Sequence, residues 1–247
     1  MRLVDRDIPV RVELLVETRE TPETTPRGFN IVGEIAGTDK AGEIVLLGAH
    51  FDSWHGATGA TDNAAGVAAV MEVLRIFQVT GLRPRRTVRI GLWGAEETGL
   101  VGSAMYVRDH LGTRANPRPG LAAHTAYFNL DNGTGRIRGI WMQGRAAVRP
   151  VFAAWSSAVR DLGVDLLSPR SVSQTDHVSF ERVGVPAFQF VQERYEYNSR
   201  THHTNMDVYD RVQPEDVKQM AVVAAVLAWH AATREERLPA EAGAGSP

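Results

Sequence analysis

The residues able to do chemistry together are His50, Asp62, Glu96, Glu97, Asp131, His202 and His203, set in "GAHFDSW", "GATDNAAG", "GAEETG", "NLD" and "RTHHTNMD". Gathered into one partly buried site, the four carboxylates would repel one another and take up protons unless cations were present. The chain has no cysteine, which excludes thiolate metal sites, thiol nucleophiles and disulfides. Imidazole and carboxylate ligands suit zinc, with manganese or cobalt as substitutes. Charge counting favours two ions, because a single divalent cation leaves such a site anionic. Two cations about 3.5–4 Å apart acidify a shared water toward a pKa of about 7 and clamp the oxygen under attack, which is hydrolytic chemistry.

The elements that must position these groups alternate between strand-like and helix-like segments. "EIVLLGAH" (43–50) is a short apolar run ending in polar groups, as a buried strand does. "TVRIGLW" alternates Val88, Ile90 and Leu92 and ends at the glutamate pair, and "AYFNLD" is a third strand ending in Asp131. Three such strand ends would bring His50, Glu96, Glu97 and Asp131 to one sheet edge, and the carboxyl edge of an open α/β sheet is where ligands bind. "NAAGVAAVMEVLRIFQV" places Val67, Val70, Met71, Leu74 and Phe77 on one helical face, so Asp62 stands just before a helix. Pro150 and Pro214 suit the first turns of two more helices, one carrying Phe152, Trp155, Val159 and Leu162, the other Val217, Met220, Ala224, Leu227 and Ala231. "AFQFV" (187–191) is a further strand. "IPVRVELLVETRE" (8–20) reads as a strand close to Met1, which fits either the catalytic part of a longer protein or a domain that begins on a strand. The expectation is an α/β fold with a mixed, mostly parallel central sheet flanked by helices. It forms a single domain over residues 1–233, followed by a disordered tail at 234–247.

Composition narrows the partners. With 247 residues, 43% of them hydrophobic, the chain can bury one large core. Its 27 basic and 29 acidic residues leave no broad basic face for nucleic acid or acidic lipid. No apolar run reaches the ~18–20 residues of a membrane span, and the N-terminus has no secretory core, so the chain reads as soluble and its compartment stays open. "GTGRIRG" (133–139) fails as a dinucleotide fingerprint because "IRGIWMQG" reads as strand where a phosphate-binding helix should begin. There is no G-x-S-x-G elbow, H-E-x-x-H pair or P-loop. Taken singly, Asp62-Asn63 would be a helix cap, Glu96-Glu97 a solvated loop and Asp131-Asn132-Gly133 a turn. His55, His110, His124 and His230 match no metal motif.

Taken in order, "GAHFDSW", "GATDNAAG", "GAEETGLVGS", "NLD" and "HHT..D" resemble the co-catalytic di-zinc exopeptidases of metallopeptidase family 28, from about residue 30 to residue 233. "LGAHFDSW", "GLRPRRTVRIGLWGAEE" and the doubled histidine are similar to its carboxypeptidase Q-like members. The resemblance implies a zinc-exopeptidase (phosphorylase/hydrolase-like) architecture acting on short peptides or dipeptides. It implies two zinc ions, with Asp62 bridging and His50, Glu97, Asp131 and His203 completing the pair. It also implies Glu96 as general base, Asp52 as the support of His50, and Asp176 and His177 as borders of the substrate pocket. Aminopeptidase, dipeptidase and carboxypeptidase action are equally compatible with it, and an oligomer is compatible too. Trp54, Phe180, Tyr195 and Tyr197 are candidate pocket walls, and Arg194 or Arg200 a candidate partner for a substrate carboxylate. Two other readings are a single-zinc, glutaminyl-cyclase-like acyltransferase and a non-catalytic binding domain of the same fold. The presence of every expected ligand and of the base counts against both.

Overall fold

The computed structural model describes residues 4–17, 19 and 27–239. Its centre is a seven-stranded sheet of β1 (Ile31–Ile35), β2 (Lys40–His50), β3 (Arg86–Trp93), β4 (His124–Asn129), β5 (Ile137–Trp141), β6 (Leu166–Ser168) and β7 (Ala187–Gln192), in the order β1-β3-β2-β4-β7-β5-β6. The inner strands β3, β2, β4 and β7 are parallel, β1 and β5 join antiparallel, and β6 runs parallel to β5. The sheet is mixed and mostly parallel, as expected. Inner parallel strands are covered on both faces, which is why they read as near-continuous apolar runs.

Alternation along β2 divides the core. Val45, Leu47 and Ala49 face a cluster with Val70, Val73, Phe77, Phe152 and Met220, which packs α1 (Ala65–Thr80), α4 (Arg149–Ser156) and α6 (Pro214–Thr233) on one side. Ile44 and Leu46 face the other way, against Trp93, Tyr106, Leu111, Tyr127 and Phe180, beneath α2 (Val101–Tyr106), α3 (Pro119–Ala123) and α5 (His177–Glu181). Gly48 is required here, because a Cβ would collide with the Tyr127 hydroxyl and the Trp93 indole nitrogen. Phe180, read as a candidate pocket wall, is fully buried in this second cluster, stacked on Tyr127 at 4.2 Å between centroids.

Three expectations change. Residues 8–17 and 19 form no strand, and every one of them is exposed; Thr18 and Glu20 lie outside the described residues. Met71 leaves the buried face of α1, whose stripe runs through Ala69, Val70, Val73 and Phe77. Of the tail expected to be disordered, residues 234–239 are anchored by one buried residue and by ion pairs of exposed ones. Leu238 joins the main core, Glu235 pairs with Lys40 at 2.8 Å, and Arg237 pairs with Glu43 at 2.8 Å. Residues 240–247 lie outside the described residues.

Candidate metal centre and active site

Parallel β2, β3 and β4 end on the same side, and the chain beyond each end turns its polar side chains into one cluster. His50 closes β2 and is 1% exposed. Its Nε2 lies 3.2 Å from Asp62 Oδ1, 3.4 Å from Asp131 Oδ1 and 3.9 Å from Glu96 Oε2. Asp131 sits two residues past the end of β4, in a loop rather than in the strand. On the outer side, His203 Nε2 lies 3.4 Å from Asp62 Oδ2 and 3.0 Å from Glu97 Oε2. His202 Nε2 is 3.9 Å from the same Asp62 oxygen. Two ligand-like groups result, His50 with Asp62 and Asp131, and Asp62 with His202 and His203. Asp62 belongs to both, with one oxygen facing each side.

Two carboxylates, half-buried Asp52 and buried Asp207, hold the loops that carry this cluster. Asp52 accepts the backbone N–H of Glu96 at 3.0 Å and of Glu97 at 3.1 Å, one on each oxygen, while its backbone carbonyl lies 3.1 Å from His50 Nδ1. One residue therefore fixes both the ring and the glutamate turn. Asp207, 3% exposed, does the same for the opposite loop, accepting the N–H of Thr61 at 2.6 Å and of Asp62 at 3.0 Å. The sequence reading assigned no role to Asp207, although it is the last residue of "HHT..D". Small residues supply clearance: a Cβ on Gly66 would meet Asn63 Oδ1 and the Leu130 carbonyl, and Gly59 is left-handed at φ 65°. Non-glycine residues in the same left-handed region crowd the centre as well: Ala95 (φ 55°), Leu100 (φ 60°), Gln174 (φ 71°) and His203 (φ 58°). Such strain persists where the surrounding structure over-determines the backbone, as functional sites do.

The electrostatics are those of a carboxylate cluster lacking countercharge. Burial, then the neighbouring Asp131, pushes Glu96 up to about 9. Burial, then Asp62, pushes Glu97 up to about 7. Burial pushes the His50 imidazole down, but Asp131, Asp52 and Asp62 prevail and hold it well above its ordinary value. Asp131 is lowered, burial being overcome by His50. Asp62 Oδ2 and Glu97 Oε1 are buried without a hydrogen-bond partner. Orphaned, inward-facing carboxylate oxygens beside imidazole nitrogens are what divalent cations satisfy, so these residues fit a zinc-type centre.

Around the centre, a cavity of about 370 Å³ is lined by Asp62, Glu96, Glu97, Asp131, His202 and His203, with Gly99, Leu100, Gln174 and Tyr197. Tyr197 forms a wall, and exposed Trp54 lies 5.5 Å from the His203 ring. Asp176 and His177 do not reach this mouth. Both are fully buried, and Gln174 of the same segment borders it instead. Both Asp176 oxygens and His177 Nδ1 lack hydrogen-bond partners, and burial raises Asp176 to about 7 and lowers His177 to about 4. Arg200 is committed to Glu196 at 3.2 Å, and Arg194 and Tyr195 line a neighbouring cavity. His124 is buried in the far half of the sheet, and His230 stacks on Trp155, so neither joins the centre.

Residues 30–228 match the profile described as Peptidase family M28. Carboxypeptidase Q of Pongo abelii is 30% identical over 238 residues, a match covering 96% of this chain and 48% of that protein. A peptidase M28 precursor from Shewanella amazonensis SB2B superposes with a TM-score of 0.76 at 34% identity, covering 85% of this chain and 46% of that one. A zinc aminopeptidase from Bacillus subtilis superposes with a TM-score of 0.68 at 26% identity, covering 85% of this chain and 52% of that one. The chain thus spans about half the length of the relatives it matches. A profile match over most of the chain, on the fold and strand ends described above, leaves one assignment: the chain belongs to peptidase family M28.

Proposed function

We propose that this chain is a zinc-dependent exopeptidase that hydrolyses short peptides with a free amino end, using Glu96 as general base. The observation that carries the reading is Asp62, whose two oxygens face two separate donor sets, 3.2 Å from His50 on one side and 3.4 Å from His203 on the other. His50, Asp62 and Asp131 would hold one zinc, and Asp62, Glu97 and His203 the other. His203 is preferred over His202 because it also faces Glu97. The bound pair supplies Lewis acidity and a water of lowered pKa.

The protein's own groups do the rest. Asp52 fixes Glu96 through its backbone N–H, so the carboxylate meets the centre from the His50 side. Glu96 takes a proton from the attacking water and returns it to the leaving amine. Its raised pKa belongs to the cluster without countercharge, and cations held by these residues would bring it down toward the range a base needs at neutral pH. Among the described residues lining the mouth are four carboxylates and no lysine or arginine, which suits an incoming ammonium group. Chelator-sensitive hydrolysis of free dipeptides tests the reading: free peptides should be cut and N-acetylated ones spared. Equal cleavage of both would refute the requirement for a free amino end, and equal cleavage of peptides that are also amidated would refute exopeptidase action.

A further inference from the structure

Beside the acidic mouth lies a second cavity of about 220 Å³ whose charge is of the other sign. Tyr197 is a wall of both cavities. Thr61 and Thr201, joined hydroxyl to hydroxyl at 2.9 Å, also line the second one, and each stands one residue before a member of the centre, Asp62 and His202. Residues adjacent in the chain, their Cα atoms ~3.8 Å apart, thus border the centre and the second cavity, a spacing comparable to the ~3.3–3.6 Å advance per residue of an extended peptide.

Its charges are unevenly committed. Arg211 and Glu196 pair at 2.9 Å, and Glu196 also takes Arg200 at 3.2 Å. Arg194, in the same wall, forms no hydrogen bond or ion pair through its side chain among the described residues. It is nevertheless held in place: its carbonyl accepts the Tyr197 N–H at 2.6 Å, and the intervening Tyr195 is left-handed at φ 34°. Arg194 is thus an exposed, uncommitted guanidinium on a fixed turn, tied by its backbone to the wall shared with the centre and free to pair with a carboxylate.

We propose that Arg194 makes this cavity the subsite for a carboxylate on the leaving part of the peptide, an assignment that rests on the peptidase reading above. The carboxylate is either the C-terminus of a dipeptide or an acidic side chain on the leaving residue, and substrates separate the two. The zinc-loaded chain and its Arg194→Ala and Arg194→Lys variants are assayed on Leu-Gly, Leu-Gly-amide and Leu-Asp-amide. Arg194→Ala should raise KM about 10- to 100-fold for the carboxylate-bearing substrates at nearly unchanged kcat, the range of one charge-assisted contact. Leu-Gly-amide should be unaffected, and Arg194→Lys should recover part of the loss. A loss on Leu-Gly alone assigns the C-terminus, and a loss on Leu-Asp-amide assigns the side chain. Equal effects on all three substrates, or none, would overturn the subsite while leaving the peptidase reading intact. Calorimetric binding of N-acetylglycine and N-acetylglycinamide reads the same contact without turnover. If no peptide is cut, yet the acid binds more tightly than the amide only when Arg194 is present, the subsite stands and the peptidase reading falls.

Discussion

Glu96 and Glu97 are sequence neighbours with different surroundings, one 3.9 Å from His50 and the other 3.0 Å from His203. In the proposed mechanism the first moves a proton and the second holds a metal. Glu96→Gln should keep two zinc ions and lose turnover by about 10²- to 10⁴-fold, the usual cost of removing a general base. Glu97→Gln should lose metal first, and excess zinc should restore it in part. Metal counts beside kcat check this, and zinc loss confined to Glu96→Gln would reverse the roles. The pair occupies a turn after β3, following left-handed Ala95, and Asp52 anchors both amides. The clustering of these residues was legible because strand ends announce themselves as apolar runs that stop at polar groups. The anchoring duties of Asp52 and Asp207 were not, since a hydrogen bond to a distant backbone amide leaves no periodic trace. Nor was the relation of His202 to His203, which depends on a single left-handed residue.

At the scale of elements, β2, β3, β4, β7 and the long helices α1 and α6 were legible from period and proline placement. β1 and β6 were not, being short sheet-edge strands with exposed residues such as Ile31 and Leu166. The segment at 8–17 misled for the complementary reason: alternation alone makes a strand only when a neighbouring edge pairs with it. β4 also carries a pH-sensitive residue at its first position. His124 is 5% exposed, and burial lowers it to about 4, against which its contact with the Gly120 carbonyl acts. Below its unfolded pKa the unfolded chain binds the proton that the fold refuses. The stabilisation is therefore complete above about pH 6.5 and is lost as pH falls toward 4, a total of about 3 kcal/mol. His177, lowered to the same range by burial, adds a slope of the same sign. Denaturant titrations from pH 7 to 4 should show a shallower decline for His124→Gln than for wild type. Identical slopes would mean that His124 takes up its proton without resisting it.

For the whole molecule, one sheet edge gathers the metal-binding candidates, the proposed base and the acidic mouth, while the near-balanced charge leaves those local fields undiluted by a global one. No described helix is long and apolar enough to cross a membrane. The relatives are about twice as long as this chain, and the two-metal site bridged by Asp62 is proposed for these 247 residues. A zinc titration of chelator-treated protein tests that site most directly, with melting temperature and dipeptide hydrolysis followed together. Because metal bound only to the folded state stabilises it, the melting temperature should climb through the titration. Binding should saturate at two zinc ions per chain, with full hydrolysis reached only as the second site fills. Saturation at one ion with full activity, or hydrolysis untouched by the chelator, would contradict it.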